Sequence, residues 1–139
     1  MSQFEITAAD MWATGISPDT HPVSYLRAHL TKQGAITTAA LAAAADGDRV
    51  WVGGAVTHRQ RPATAGGVTF LNLEDETGMA NVVVSQGLWQ RQRDVARNSK
   101  ALLIRGRVQA VEGVVTLVAD RLVPIDLNAV LAGPSRDFR

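Results

Sequence analysis

The 139-residue chain contains no cysteine. Disulfides, thiolate metal sites and a cysteine nucleophile are thereby excluded. Its three histidines, His21, His29 and His58, are scattered without the spacing of a zinc site. No serine sits in a nucleophile elbow, and Asp10, Asp19, Asp46 and Asp48 do not form a paired-carboxylate setting. No apolar run approaches the roughly 18 residues of a membrane span. The opening MSQFEITAADMW lacks the basic stretch followed by an apolar one that marks a secretory leader. A cytoplasmic location is expected, with no membrane contact. Charged residues make up 19% of the chain, below the usual value of about 25%. The formal net charge of +1 neither demands nor excludes a nucleic-acid partner. These absences predict a chain that is not an enzyme and needs no metal or cofactor.

What is present suits a folded domain, since 46% of the residues are hydrophobic. No repeat of solenoid period occurs. Residues 1–48 read as a partly helical N-terminal extension. Val23, Leu26 and Leu30 recur at helix spacing, opened by Pro22 or Ser24. The alanine-rich stretch Thr37–Ala45 also favours helix, and Asp46-Gly47-Asp48 reads as a turn at a domain boundary.

Residues 49–126 read as strands. Val50–Thr57 is β-rich with a glycine pair of the sort that bends a barrel strand. Arg59–Gly67 is a polar loop. Val68–Glu74 alternates, Asp75-Glu76-Thr77-Gly78 is a turn, and Met79–Val84 is a third strand. Ser85 resembles an N-cap for one short helix ending near Asn98. Ala101–Val108 and Val114–Leu122 are joined by the hairpin signal Glu112-Gly113. Residues 127–139, with Gly133, Pro134 and Ser135, are expected to be a flexible tail. The order predicts a mainly β fold: a five-stranded OB-fold Greek-key barrel with a short helix between strands 3 and 4, preceded by a small helical region. Such barrels usually bind oligonucleotides on strands 2 and 3 and on the neighbouring loops.

Alternation then sorts the side chains. Leu71 and Leu73 face the core, with Ala80, Val82 and Val84. Phe70, Asn72 and Glu74 face outward, with Met79, Asn81 and Val83. The Phe70 ring offers a base a stacking surface, and the amides of Asn72 and Asn81 can read base edges. His58, Arg59 and Arg61 are expected at the rim as phosphate contacts, with Arg105 and Arg107 further on. The rival readings are ordinary ones. A one-residue register shift would bury Phe70. The His58–Arg61 cluster, and Arg105 with Arg107, could be solvated turn and strand surface. Arg91, Arg93 and Arg97 read as a solvated helix face. Trp12 and Trp89 read as packing residues, whereas Trp51, opposite Val50 and Val52, stays open.

The run Gly54–Gly78, with its string QRPATAGG followed by FLNLEDETG, resembles the OB domain of bacterial error-prone DNA polymerases. These are mutagenic paralogues of the polymerase III α subunit. Asp10–Pro18 resembles the stretch before that domain, and Val118–Leu122 its last strand. The shorter pattern FLxLxDxTG is also found in anticodon-binding OB domains of class II aminoacyl-tRNA synthetases, where the residues matching Phe70 and Asn81 tend to contact bases. The chain looks like the family's C-terminal portion standing alone: a small free-standing protein, a split gene product or a truncated remnant. It is too short for the polymerase's catalytic domains, so polymerase activity is not expected. The resemblance implies single-stranded DNA as ligand, in replication, repair and damage tolerance. It also implies a second possibility, an interaction module for the sliding clamp and accessory translesion proteins.

Overall fold

Strict alternation over Thr69–Asp75 produces a strand whose inward side chains, Leu71 and Leu73, are fully buried. Around it the computed structural model describes residues 21–61 and 66–126, with side chains from Leu26 onward. Expectations for Met1–Thr20, Trp12, the loop centre at 62–65 and the tail 127–139 lie outside the described residues.

The elements are α1 (His21–Lys32), β1 (Ala35–Ile36), α2 (Thr38–Ala42), β2 (Arg49–Gln60), β3 (Thr69–Asp75), β4 (Gly78–Val84), α3 (Gln86–Arg91), α4 (Arg93–Asn98), β5 (Ala101–Val111) and β6 (Val114–Pro124). β2, β3 and β4 form an antiparallel meander. β6 pairs parallel with β4 and antiparallel with β5, and β5 pairs back onto the first half of β2. That closes a five-stranded barrel, the OB arrangement expected from the element order. β1 adds a short parallel rung outside β2.

Three details differ from the sequence expectation. The segment 37–45 forms only the short α2, capped by Thr37, whose hydroxyl accepts from Ala40 N–H. The single helix before β5 is two helices broken at Gln92. The Gln92 amide there donates to the Leu122 carbonyl (2.7 Å) and accepts from the Leu122 N–H (2.9 Å). A side chain thus completes backbone bonding on β6 beyond Val118, the last residue that pairs with β4. Finally, β2 runs on through Gln60, so His58, Arg59 and Gln60 belong to a strand and not to a loop.

Closure needs glycine at two crossings. A methyl group on Gly54 would stand 2.7 Å from the Glu74 carbonyl oxygen, and one on Gly106 would run into the Val118 carbonyl. The interior is filled by Val52, Leu71, Leu73, Val82, Val84, Leu102, Ile104 and Leu117, and by Leu88, Trp89 and Ala96 from the α3–α4 cap. A second cluster lies outside the barrel wall, where Leu26 and Leu30 of α1 cover Ala55, Ala101 and Leu103.

The DETG turn ties these layers together. Asp75, only 3% exposed, receives hydrogen bonds from Thr38 N–H (2.8 Å) and hydroxyl (2.7 Å) and from the N–H groups of Thr77 and Gly78. It also receives the Thr77 hydroxyl and pairs with Arg27 at 3.3 Å. A carboxylate in an exposed-looking turn is therefore the polar anchor between the helical segment and the barrel.

Candidate nucleic-acid interface

The outer face of β3 and β4 is built by cross-strand register. Phe70 lies between Gln60 on β2 and Val83 on β4, and Asn72 lies between His58 and Asn81. The row continues from Asn81 to Thr116 and from Val83 to Val118 on β6. Directly paired residues point to the same side of a sheet. Phe70, Asn72, Asn81, His58 and Gln60 therefore share one surface. Phe70 is 41% exposed, and Met79 at the far end is also exposed. The register-shifted alternative, with Phe70 inside, does not occur.

The arginines expected beside this face divide. β2 carries a bulge at Thr57, between the Val56–Leu73 and His58–Asn72 pairs. A bulge inserts one residue and reverses the inside–outside order beyond it. It turns His58 and Gln60 out beside Asn72 and Phe70, and sends Arg59 toward the helical cap. Arg59 Nε donates to the Ala96 carbonyl (2.8 Å), and its Nη2 to the Ser99 carbonyl. Burial pushes this guanidinium below its ordinary value. Arg59 is thus committed to closing the end of α4 and is not aimed at the Phe70 face. Arg61 lies over the Trp89 ring of α3, 5.5 Å from its centroid, at the rim between face and cap.

Arg105 is not brought to the face either. It pairs across strands with Trp51 and Arg121, and its Nε donates to Asp120 at 2.6 Å. Its guanidinium stacks 5.8 Å from the Trp51 ring. Trp51 in turn packs with the α1 cluster, so it is an outer packing residue. The Trp51 rung is separated from the Gln60–Phe70 rung by roughly 30 Å of strand, at about 3.3 Å per residue. Arg107 is exposed and pairs with Val118, which stands two strands from Phe70 through Val83. It marks the far edge of the face. Gln60, expected only as part of the rim loop His58–Arg61, is a strand residue of the face itself; among polar neighbours no hydrophobic period reveals the bulge.

A family model described as an OB-fold nucleic acid binding domain matches residues 50–125, more than half of the chain. The chain belongs to that family. Close relatives of this OB-fold domain are named error-prone DNA polymerase. Those of Nocardia farcinica, Mycobacterium tuberculosis H37Rv and Corynebacterium glutamicum are 58%, 54% and 52% identical over all of this chain. The chain spans only 12–13% of the length of these relatives. Among solved structures, asparaginyl-tRNA synthetase from Pyrococcus horikoshii superposes on 73% of the OB-fold domain's chain and 27% of its own, with a TM-score of 0.53 at 23% identity. Aspartyl tRNA synthetase from Entamoeba histolytica covers 63% of this chain and 20% of its own, at TM-score 0.51 and 18% identity. At these identities the likeness is one of fold.

Proposed function

We propose that the chain binds single-stranded nucleic acid on the outer face of β3 and β4, and that it acts by binding rather than by catalysis. One observation carries the reading. An exposed Phe70 ring stands directly beside Gln60 and one residue pair from the Asn72–Asn81 amides. A ring of this kind stacks on any base, worth about 1–3 kcal/mol per base. Amides beside it bond base edges without adding charge. The naming of the relatives favours DNA as the strand and damage-tolerant replication as the setting. His58 and Arg107 supply phosphate contacts at the edges.

The test is fluorescence anisotropy with a labelled single-stranded oligonucleotide, set against a duplex of the same sequence. Phe70→Ala should weaken single-strand binding about tenfold, the equivalent of losing one stacked base, with the thermal melt unchanged. Equal affinities for wild type and variant at low salt would overturn the stacking role.

A second reading rests on a separate observation. Met79, Val111 and Val114 are each more than half exposed, and the last two form the tip of the β5–β6 hairpin. Such a group suits a protein partner, in line with a place beside a sliding clamp and accessory translesion proteins. Recovery of those partners by a chain that binds no oligonucleotide would favour it over the first.

A further inference from the structure

The basic side chains are unevenly placed around the barrel. From β2 to β6 the Phe70 face carries His58 as its basic residue, amid Gln60, Asn72, Asn81 and Thr116. Arg61, Arg91, Arg93, Arg97 and Lys100 instead gather on the α3–α4 cap and its margins. All five are exposed, and none forms an ion pair among the described residues. Asp94 is the one acidic residue within the two helices. Arg91 and Arg93 line an open depression at the break between α3 and α4, together with Gln90, Gln92, Val95 and that same Asp94.

This cap is continuous with the end of the face that bears Phe70. Phe70 pairs with Val83, and Ser85 follows two residues later as the N-cap of α3. Gly67, at the end of the β2–β3 loop, sits against the Gln86 side chain. Gln60 is the cross-strand neighbour of Phe70, and the next residue, Arg61, already lies over Trp89 of α3. One residue step along the chain thus leads from the aromatic face to the cationic cap.

We propose that the α3–α4 cap is a second contact surface, which takes the phosphodiester backbone of a strand after its bases leave the Phe70 face across Arg61. The inference rests on the single-strand reading above and adds a division of labour. Bases are held beside Phe70, where Gln60, Asn72 and Asn81 outnumber the charged Glu74, and phosphates where the surface is cationic. The cap makes no base contacts, so its contribution is independent of sequence and sensitive to salt.

The experiment uses the full chain with labelled oligothymidylates of five and fifteen nucleotides, titrated at several salt concentrations. Single OB folds occupy about 4–16 nucleotides, so the longer strand reaches the cap and the shorter does not. The triple variant Arg91→Ser, Arg93→Ser, Arg97→Ser should lose about tenfold or more in affinity for the fifteen-mer at low salt. Its slope of log affinity against log salt should fall by about 2, at roughly 0.7 per phosphate contact. Affinity for the five-mer should be unchanged. Since all three side chains are exposed, a matching thermal melt shows that the fold is intact. An unchanged fifteen-mer slope, with Phe70→Ala still weakening both lengths, overturns the cap surface and leaves the Phe70 site standing. Equal weakening of both lengths by the triple variant also overturns it, since that is a general field effect. Failure of the wild type to bind either length overturns both readings.

Discussion

The carboxylate of Asp75 holds both the backbone N–H and the hydroxyl of Thr38, at 2.8 and 2.7 Å, across 37 residues of sequence. Through this pair the first turn of α2 is fixed to the β3–β4 turn. Asp75→Ala would strand the buried Thr38 donors and leave Arg27 without one of its partners. A loss of about 3–5 kcal/mol in urea unfolding is expected, the usual cost of removing one member of a buried charged network. A loss below 1 kcal/mol would mean that water replaces the carboxylate.

Acid should loosen the same region through Glu76. Burial alone would raise its carboxyl, but the hydrogen bonds and charge of Arg27, at 2.7 Å, outweigh burial and hold it below the ordinary 4.5. Arg27 shows the counterpart: desolvation opposes its charge, yet Glu76 and Asp75 together raise it. A carboxyl depressed in the folded state favours folding fully above its unfolded value. That contribution disappears as pH falls through the folded value. Urea midpoints taken between pH 7 and pH 3 should drop below about pH 4.5, and Glu76→Gln should flatten part of that drop. Parallel curves for the two proteins would exclude Glu76 as a source of the acid sensitivity.

Arg59 and Gln60 are adjacent in sequence but opposite in consequence. Arg59→Ala should lower stability by about 1–2 kcal/mol, from the loss of charged hydrogen bonds to Ala96 and Ser99. Its affinity for a five-nucleotide strand should stay the same. Gln60→Ala should leave the melt unchanged and weaken binding of that strand. A reversed pattern would show that β2 lacks the bulge at Thr57.

The crossings at Gly54 and Gly106 should resist even a methyl group. Each substitution to alanine is expected to cost about 1–3 kcal/mol or more, because the obstacle is backbone. Gly53→Ala meets only the tip of Leu30 and should cost less. Equal melting temperatures for the three alanine variants would show that the barrel adjusts freely at its crossings.

The fold was legible where side-chain periodicity and burial agree. Phe70 outside, with Leu71 and Leu73 inside, follows from simple alternation, as do the β4 core residues, while the Ser85 cap and the Glu112-Gly113 hairpin follow from residue type. The site was legible to the extent that it lies on those strands: Phe70, Asn72 and Asn81 come together as expected. Reading failed where polar runs carry no period. Between Thr57 and Arg61 a single inserted residue decides which side chains face out, and nothing in the local pattern marks it. Asp75 looked like a turn residue because its partners, Thr38 and Arg27, are distant in sequence. Gln92 looked like helix interior because its partner, Leu122, belongs to a later strand. Arg105 looked available because the residue that holds it, Asp120, follows in a bulge of β6.

The parallel pairing of β6 with β4 has a consequence for synthesis. A ribosome delivers β6 after every other strand of the barrel, so the valine-rich edge of β4 stays open until then. During that interval a nascent chain can pair edge to edge with another copy. A frameshift or protease cut within 114–124 would make that exposure permanent. Such products should accumulate as aggregates rather than as weaker binders.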